Sequence, residues 1–340
     1  MVRGAALACE SLAGDPVNLV LVSAEKEAAE RAVHSLLDAP AGRSGCQVEL
    51  LLAERLPNQI ESPVDVYKNH PRSSIRVAMD RAKGDLNSAV ISPGTTGLVM
   101  TAALFTLGRV KGVERPPIGT PLPTKGKQLF FVDGGSNVDC RASHLYQFAV
   151  LAHLFVKNMY GVERPSIALL SNGSEDYKGN AVVREAYQLL AADSDLNFQG
   201  FIEGHTMMHG DLDIMVCDGF IGNILLKFAE GVAEAFTGIL KQELKRDLLA
   251  ALAAKLLQRR AYKRMADRMD YARFGGAPLL GLNGNVVICH GRSNAKAIKN
   301  ALLVGHKLAT STIAQQVAQY VEAHPQLAAL NGAKKPGNGG

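Results

Sequence analysis

No run of about 18 uncharged apolar residues occurs anywhere in the 340-residue chain, so nothing in it reads as a transmembrane helix. A secretory signal is also missing, because Glu10 and Asp15 interrupt the apolar core that such a signal requires. The five cysteines (Cys9, Cys46, Cys140, Cys217 and Cys289) are scattered, with no CxxC pair and no metal-ligand spacing. They predict strand-end or core thiols in a reducing compartment, and no metal site. The phosphate and dinucleotide fingerprints GxxxxGK[ST] and GxGxxG are absent, as are a GxSxG elbow, an HExxH helix and a Ser-His-Asp arrangement. These absences exclude the common nucleotide-binding, hydrolase and metalloprotease classes and leave a soluble cytoplasmic protein with no expected cofactor.

What is present is a chain with 47% apolar residues, enough for one large α/β domain or two smaller ones. Its net charge of +5 is concentrated. Residues 241–273 hold ten Lys/Arg against four Asp/Glu, which makes that stretch +6 and the remainder about −1. One local basic element implies a localised acidic partner and argues against general nucleic-acid binding.

Read in order, residues 17–22 predict a strand, 26–37 a helix and 48–53 a second short strand, with residues 63–71 polar and loop-like. Ser73 or Ser74 caps a helix that runs to Lys83. A stronger pattern then repeats. Strand 88–91 leads through Ser92-Pro93-Gly94-Thr95-Thr96-Gly97 into a helix from Leu98 to Leu107. Strand 128–132 leads through residues 133–139 into a helix from His144 to Val156, and strand 166–170 through residues 171–180 into a helix that ends near Leu190. After a short strand at 198–201, the apolar run 212–217 turns at Asp218-Gly219-Phe220-Ile221-Gly222-Asn223 into a helix reaching about residue 246. Alternation of this kind predicts right-handed βαβ units and a mostly parallel sheet covered on both faces, with the loops after the strands on one side, where ligands bind.

Those four loops are rich in Gly, Asn, Ser/Thr and Asp, and together predict a groove lined by backbone N–H groups for a phosphate or a developing oxyanion. Asp218 and Asn223 are the polar side chains placed to work in the last of them. Beyond residue 240 the leucines 244, 248, 249, 252, 256 and 257 recur at helical spacing beside Lys245, Arg246, Lys255, Arg259 and Arg260. This predicts an amphipathic helical hairpin over about 240–272, either a dimer or core-facing element or a contact for an anionic membrane or acidic partner. Leu249, Leu252, Lys255, Leu256, Arg259 and Arg260 are its candidate contact residues. A Gly-rich turn at 274–278, a strand at 286–289 and one long helix from Asn294 to about Ala323 follow, and residues 326–340 read as a disordered tail.

Six stretches, in this order, resemble the PlsX family, the phosphate acyltransferases of bacterial phospholipid synthesis. They are Gly94–Gly97, the run LGRVKGVERP at 107–116, Asn137-Val138-Asp139, Lys178-Gly179-Asn180, Asp218–Asn223 and the run YARFGGA at 271–277, and they span roughly residues 60–320. The resemblance implies one α/β domain over residues 1–325, a three-layer α/β/α fold like that of the isocitrate and isopropylmalate dehydrogenases, with the hairpin protruding from it. It further implies a homodimer and transfer of a fatty acyl group from acyl carrier protein to inorganic phosphate. The product would be an acyl phosphate destined for a membrane glycerol-3-phosphate acyltransferase, on an enzyme peripherally associated with the membrane. The family opens with a strand and an Asp-Ala-Met-Gly-Gly-Asp type loop that nothing here matches, and Val22-Ser23-Ala24 stands where a Gly-Asp is usual. The expectation is therefore a sheet short of its first strand and first loop.

Phosphate is itself the nucleophile in such a reaction and a thiolate is the leaving group, so positioning and electrostatics suffice. Lys178 is the candidate cation for phosphate or departing thiolate, and Asn223 the candidate oxyanion or phosphate donor. Thr95, Thr96 and the Gly97 N–H are assigned to phosphate; Asn137 and Asp139 order a loop or bind substrate; Asn180, Asp218 and Gly222 complete the substrate site. Arg109 and Lys111 are read as helix ends lining a carrier-protein or dimer surface. Competing readings are a phosphate acetyl- or butyryltransferase-like enzyme using an acyl-CoA, and a membrane- or carrier-binding pseudoenzyme.

Overall fold

The computed structural model describes residues 1–38, 46–57, 62–246 and 271–324. The elements run α1 (Val2–Ser11), β1 (Asn18–Ser23), α2 (Lys26–Asp38), β2 (Gln47–Leu52), α3 (Pro63–Asn69), α4 (Ser74–Ala82), β3 (Ala89–Ser92) and α5 (Thr96–Thr106). Next come β4 (Gly119–Leu122), β5 (Leu129–Val132), α6 (Ala142–Tyr160), β6 (Ser166–Ser171), α7 (Ala181–Ala191), β7 (Asn197–Glu203), β8 (Ile214–Val216) and α8 (Gly219–Arg246). The described chain ends with β9 (Ala277–Leu279), β10 (Asn285–Ile288), α9 (Ala295–Ala309) and α10 (Ile313–Ala323).

The expected single sheet is divided into hydrogen-bonded groups of two, three and five strands, ordered β1-β2, β3-β10-β9 and β4-β5-β8-β6-β7. Among the described residues only β9 with β10 and β4 with β5 pair antiparallel, so the architecture is α/β and parallel-rich. An antiparallel bridge between Ile118 and Leu279 continues the three-stranded group towards the five-stranded one.

Alternation along the central strands explains why helices cover both faces. Phe130, Val132, Ile167, Leu169, Ile214 and Val216 share one core with α6, while Leu129, Phe131, Ala168, Met215 and Cys217 share another with Leu225 and Leu226 of α8. Successive strand residues point to opposite faces, so parallel strands buried on both sides must be apolar throughout. Helix α6 is accordingly buried along almost its whole length, and Phe155 stacks on Phe130 with ring centroids 4.6 Å apart. The β3-β10-β9 group repeats the plan, with α4 and α5 on one face and α9 against Ile91 and Val287 on the other.

Several expectations need correction. Residues 63–69 form a helix, not a loop: Ser62 accepts the Asp65 N–H at 3.2 Å and Pro63 opens the first turn. The long helix 294–323 is two helices, because the Thr310 and Ser311 hydroxyls donate back to the carbonyls of His306 and Leu308 and end α9. Strand β4 went unread because Pro121 sits inside it, and β9 because the Gly-rich turn runs directly into it. Residues 2–11, read as nothing in particular, form a helix whose Gly4 lies against Ala295 and Ile298 of α9. Arg109 and Lys111 are not helix ends. They lie beyond α5 in an extended strap held by bonds from Val110 N–H to the Gly281 carbonyl and from Asn283 N–H to the Gly108 carbonyl, each 3.0 Å. The predicted hairpin beyond Arg246, with Leu249, Leu252, Lys255, Leu256, Arg259 and Arg260, lies outside the described residues, as does the predicted tail.

Candidate active site

Strands β5, β8 and β6 are adjacent and parallel, so the loops that follow them leave the sheet on the same edge. Two of these loops interlock. The Gly219 N–H donates to the Asn137 carbonyl at 2.7 Å, and Gly222 leaves no room between α8 and the Asp133 backbone. Gly135, at φ +127°, lies so close to Asn223 that a Cβ there would stand 3.1 Å from the Asn223 Cβ. The first turn of α8 is thereby clamped onto the 133–137 loop, and Asn223 stands at the seam.

The organiser of that seam is Asp133, which is fully buried. Its carboxylate accepts the backbone N–H groups of Ile118 (3.1 Å), Gly135 (3.1 Å), Ser136 (3.0 Å) and Asn137 (2.8 Å), the Ser136 hydroxyl (2.7 Å) and the Asn137 amide (2.9 Å). This overturns the expectation that the loop's N–H groups are open to a ligand, because they turn inward onto the chain's own carboxylate. The same holds elsewhere. Asp218 caps α8 by accepting the Ile221 N–H at 2.9 Å, Asn180 caps α7 by accepting the Val183 N–H at 2.9 Å, and the Gly179 N–H donates to Asn172 Oδ1. Asn137 is committed likewise, its amide shared between Asp133, Ser136 and the Pro116 carbonyl.

Side chains left without an internal partner are fewer. The Asn223 amide makes no side-chain hydrogen bond among the described residues and is half-buried. Lys178 lays its stem along Gly173 and holds only a loose contact to Glu175, 3.9 Å away, with its ammonium 5.4 Å from the Tyr177 ring centre. Asp139 is exposed; its carbonyl accepts from Arg115 at 2.7 Å, and the cap of α6 is Arg141, not Asp139.

Thr95, Thr96 and Gly97 do not join this group. Thr95 is the N-cap of α5 without a side-chain cap bond, Thr95 and Thr96 are exposed, and Gly97 abuts Pro63 of α3. Three antiparallel steps separate β3 and β10 from β5, so β3 runs opposite to β5, β8 and β6, and its loop leaves by the reverse direction. Among the described residues, no side chain caps the first-turn N–H groups of α5.

Two thiols flank the seam. Burial pushes Cys140 up to about 12, helped by the nearby Asp133 and Asp218, and raises Cys217 well above its ordinary range for the same reasons. Both are thereby held towards the protonated form, the less nucleophilic one.

Beside the 133–141 loop lies an open cleft of about 430 Å³ lined by Arg109, Gly112, Val113, Glu114, Arg115, Arg141 and His144. Residues 109–115 lie in the run 107–116 noted in the sequence, where only Arg109 and Lys111 received a role, whereas Arg141 was not singled out. The spacing of Arg141 and His144 at the start of α6 was the available signal: His144 Nδ1 accepts the Arg141 backbone N–H at 3.0 Å. Its proton therefore sits on Nε2, which donates to Glu114 at 2.5 Å. Burial lowers the pKa of His144 despite Glu114.

Among the described residues, Asp193, Asp195 and His324 form a cluster with metal-like spacing. Asp193 already accepts the Tyr146 and Tyr320 hydroxyls at 2.6 and 2.7 Å, and His324 pairs with Asp195 at 3.4 Å. Asp193 and Asp195 precede β7 and His324 follows α10, away from the loops after the central strands, and the tyrosines and the His324–Asp195 pair already engage the three groups.

Comparison with known proteins now adds a relation to this geometry. The chain matches the profile of the fatty acid synthesis protein family over residues 1–319. It is 42% identical over 276 residues to the phosphate acyltransferase of Trichlorobacter lovleyi, covering 81% of this chain and 79% of that protein. It is 39% identical over 321 residues to the phosphate acyltransferase of Geobacter sulfurreducens, covering 94% and 90%. Among solved structures, a phosphotransacetylase from Streptococcus pyogenes superposes with a TM-score of 0.53 at 18% identity, covering 89% of this chain and 98% of that one, a likeness of fold. The chain belongs to the fatty acid synthesis protein family, the PlsX family that its motifs resemble.

Proposed function

We propose that this chain is a phosphate acyltransferase that moves a fatty acyl group from acyl carrier protein to inorganic phosphate, forming acyl phosphate for phospholipid synthesis. One observation carries the reading. At the shared edge of β5, β8 and β6 the half-buried Asn223 amide makes no side-chain hydrogen bond among the described residues, Lys178 presents a cation in loose contact with Glu175 at 3.9 Å, and burial raises the two neighbouring thiols. Such a site supplies charge and orientation but no nucleophile, which suits a substrate that is its own nucleophile.

A phosphate oxygen attacks the thioester carbonyl, the carbonyl oxygen gains the electron pair, and the C–S bond then breaks to release the carrier's thiolate. The Asn223 amide donates to the oxyanion or to phosphate, and Lys178 faces phosphate or the departing thiolate. Asp133, Asn137, Asp218 and Gly222 fix the seam on which Asn223 stands, and Asn180 fixes the start of α7 beside Lys178. Asp139 lies at the exposed end of the same loop. Thr95, Thr96 and the Gly97 N–H, whose loop leaves the sheet in the reverse direction, take no part in this step.

The finer architecture fits three layers of the isocitrate/isopropylmalate dehydrogenase kind. A homodimer is supported by α8, where Phe220, Ile224, Phe228, Val232, Phe236 and Ile239 are each more than half exposed at near-helical spacing. Among the described residues no helix is long and apolar enough to cross a membrane. Contact with the bilayer, and delivery to a glycerol-3-phosphate acyltransferase, are assigned to the basic segment 241–273.

The test supplies purified protein with phosphate and either a long-chain acyl carrier protein thioester or a short acyl-CoA. Acyl phosphate from the carrier thioester supports the reading. Product from acyl-CoA alone selects the acetyl/butyryltransferase-like alternative, and product from neither selects a pseudoenzyme. Lys178→Ala is expected to abolish turnover with unchanged thermal unfolding, and full activity in that variant removes Lys178 from the site.

A further inference from the structure

The cleft beside the seam belongs to no step of the chemistry above. Three guanidinium groups, Arg109, Arg115 and Arg141, face a single carboxylate, Glu114. Arg141 and the buried His144 share that carboxylate. His144 takes its backbone bond on Nδ1 and stays neutral, so it neither adds charge nor competes for an anion. Arg109 and Arg115 are different. Each is exposed, and among the described residues each bonds a neutral carbonyl and no carboxylate: Arg109 that of Glu114, Arg115 that of Asp139 at 2.7 Å. Both keep uncompensated charge and spare N–H donors at the mouth of the cleft, and planar guanidinium forks match phosphate oxygens.

The cleft is coupled to the seam by position. Its strap is laced to the catalytic loop where Ile118 N–H donates to Asp133, and where the Ser136 hydroxyl and Asn137 amide donate to the Pro116 carbonyl at 3.2 and 3.1 Å. An anion held by Arg109 and Arg115 therefore lies at a set position beside the groove and outside it.

We propose that this cleft binds the phosphate group at the far end of a phosphopantetheine arm, anchoring the acyl donor so that its thioester reaches the Asn223 seam. The proposal rests on the acyl-transfer reading for its choice of donor, and its ligand chemistry is a phosphate ester on an extended thiol arm. The two sources of phosphate in such a reaction, the arm and free inorganic phosphate, are separated by the test.

The full chain is titrated by calorimetry with phosphopantetheine, with pantetheine and with inorganic phosphate, and each titration is repeated on Arg109→Gln, Arg115→Gln, Arg109→Lys and Arg115→Lys. Wild type should bind phosphopantetheine about tenfold or more tightly than pantetheine, the scale of one or two charged hydrogen bonds. Each Gln variant should reduce that preference to about threefold or less with pantetheine affinity unchanged, and the Lys variants, which keep charge but lose the fork, should fall between. Thermal unfolding of the Lys variants should match wild type, which keeps a folded comparison available if a Gln variant fails to fold. Equal wild-type affinity for the two arms overturns the proposal. So does a Gln variant that weakens pantetheine as much as phosphopantetheine, or one that weakens inorganic phosphate by the same factor, since the cleft would then serve the substrate phosphate. A wild type that prefers phosphopantetheine but yields no acyl phosphate rejects the enzymatic reading and leaves the cleft assignment standing. A wild type that yields acyl phosphate without that preference rejects the cleft alone.

Discussion

Replacing Gly222 by alanine tests the seam at its tightest point. A Cβ at 222 would stand 2.8 Å from Phe131 Cζ and 3.1 Å from the Asp133 carbonyl carbon, and nearer still to the Asp133 carbonyl oxygen. Ordinary contact begins at 3.4 Å, and the closest obstacle is backbone, which no rotamer change can move aside. The first turn of α8 must retreat by about an ångström or more, against a loop whose carboxylate holds six donors. Overpacking of this kind costs about 1–3 kcal/mol, and more where backbone must shift. The same displacement carries Asn223 away from Gly135, and a misplacement of about 1 Å at a positioning group costs on the order of 100-fold in rate. Denaturant unfolding and acyl phosphate formation are measured on Gly222→Ala beside Gly204→Ala, where an added Cβ meets nothing within 4 Å. The reasoning predicts a lowered midpoint and a collapsed rate for the first and near wild-type behaviour for the second. A Gly222→Ala protein with wild-type midpoint and rate refutes the clamp.

Asp133→Ala, which strips the acceptor from four backbone and two side-chain donors, should lower stability by about 3 kcal/mol or more, and a loss below about 1 kcal/mol in denaturant unfolding would contradict the role given to that carboxylate. If the exposed α8 stripe is a dimer face, Phe228→Asp with Phe236→Asp should halve the mass found by light scattering at micromolar concentration; an unchanged mass removes that face from the interface. Burial, reinforced by Lys157, lowers His153 below its ordinary 6.5, and its Nδ1 has no hydrogen-bond partner among the described residues. The unfolded chain therefore binds the extra proton first, so stability should fall as pH drops below about 6.5, and His153→Leu should flatten that slope; an identical slope in the variant excludes His153 as its source.

Where the sequence was legible, periodicity and turn chemistry agreed. Strands β5, β6 and β8 are apolar on both faces, and each runs into a Gly- and Asn-rich loop and then a helix, so the central order and the seam at 218–223 could be read directly. The parts that escaped were those whose signals compete. Pro121 hid β4, polar residues hid α3 behind its Ser62 cap, and the hydroxyls that divide α9 from α10 are ordinary helix-surface residues until they fold back on the chain. The reversal of β3 relative to β5 depends on β4 and β9, the two strands that were missed, so four loops were expected on one edge where three are found. The N–H groups of the 133–137 loop were misread for a further reason. A loop full of glycine and N–H groups resembles an anion cradle, and only the fold reveals that Asp133 already occupies it. The arginine cleft joins residues 109–115, legible in the sequence only as part of a motif, to residues 141–144 at the start of α6, and that meeting exists only in the fold.

The claim that phosphate attacks the acyl donor directly, with no nucleophile from the protein, is open to one decisive measurement. The protein is incubated with acyl carrier protein thioester in the absence of phosphate, its intact mass is recorded, and phosphate is then added. An unchanged protein mass followed by phosphate-dependent release of acyl phosphate is the predicted result. A protein heavier by one acyl group before phosphate is added would contradict it.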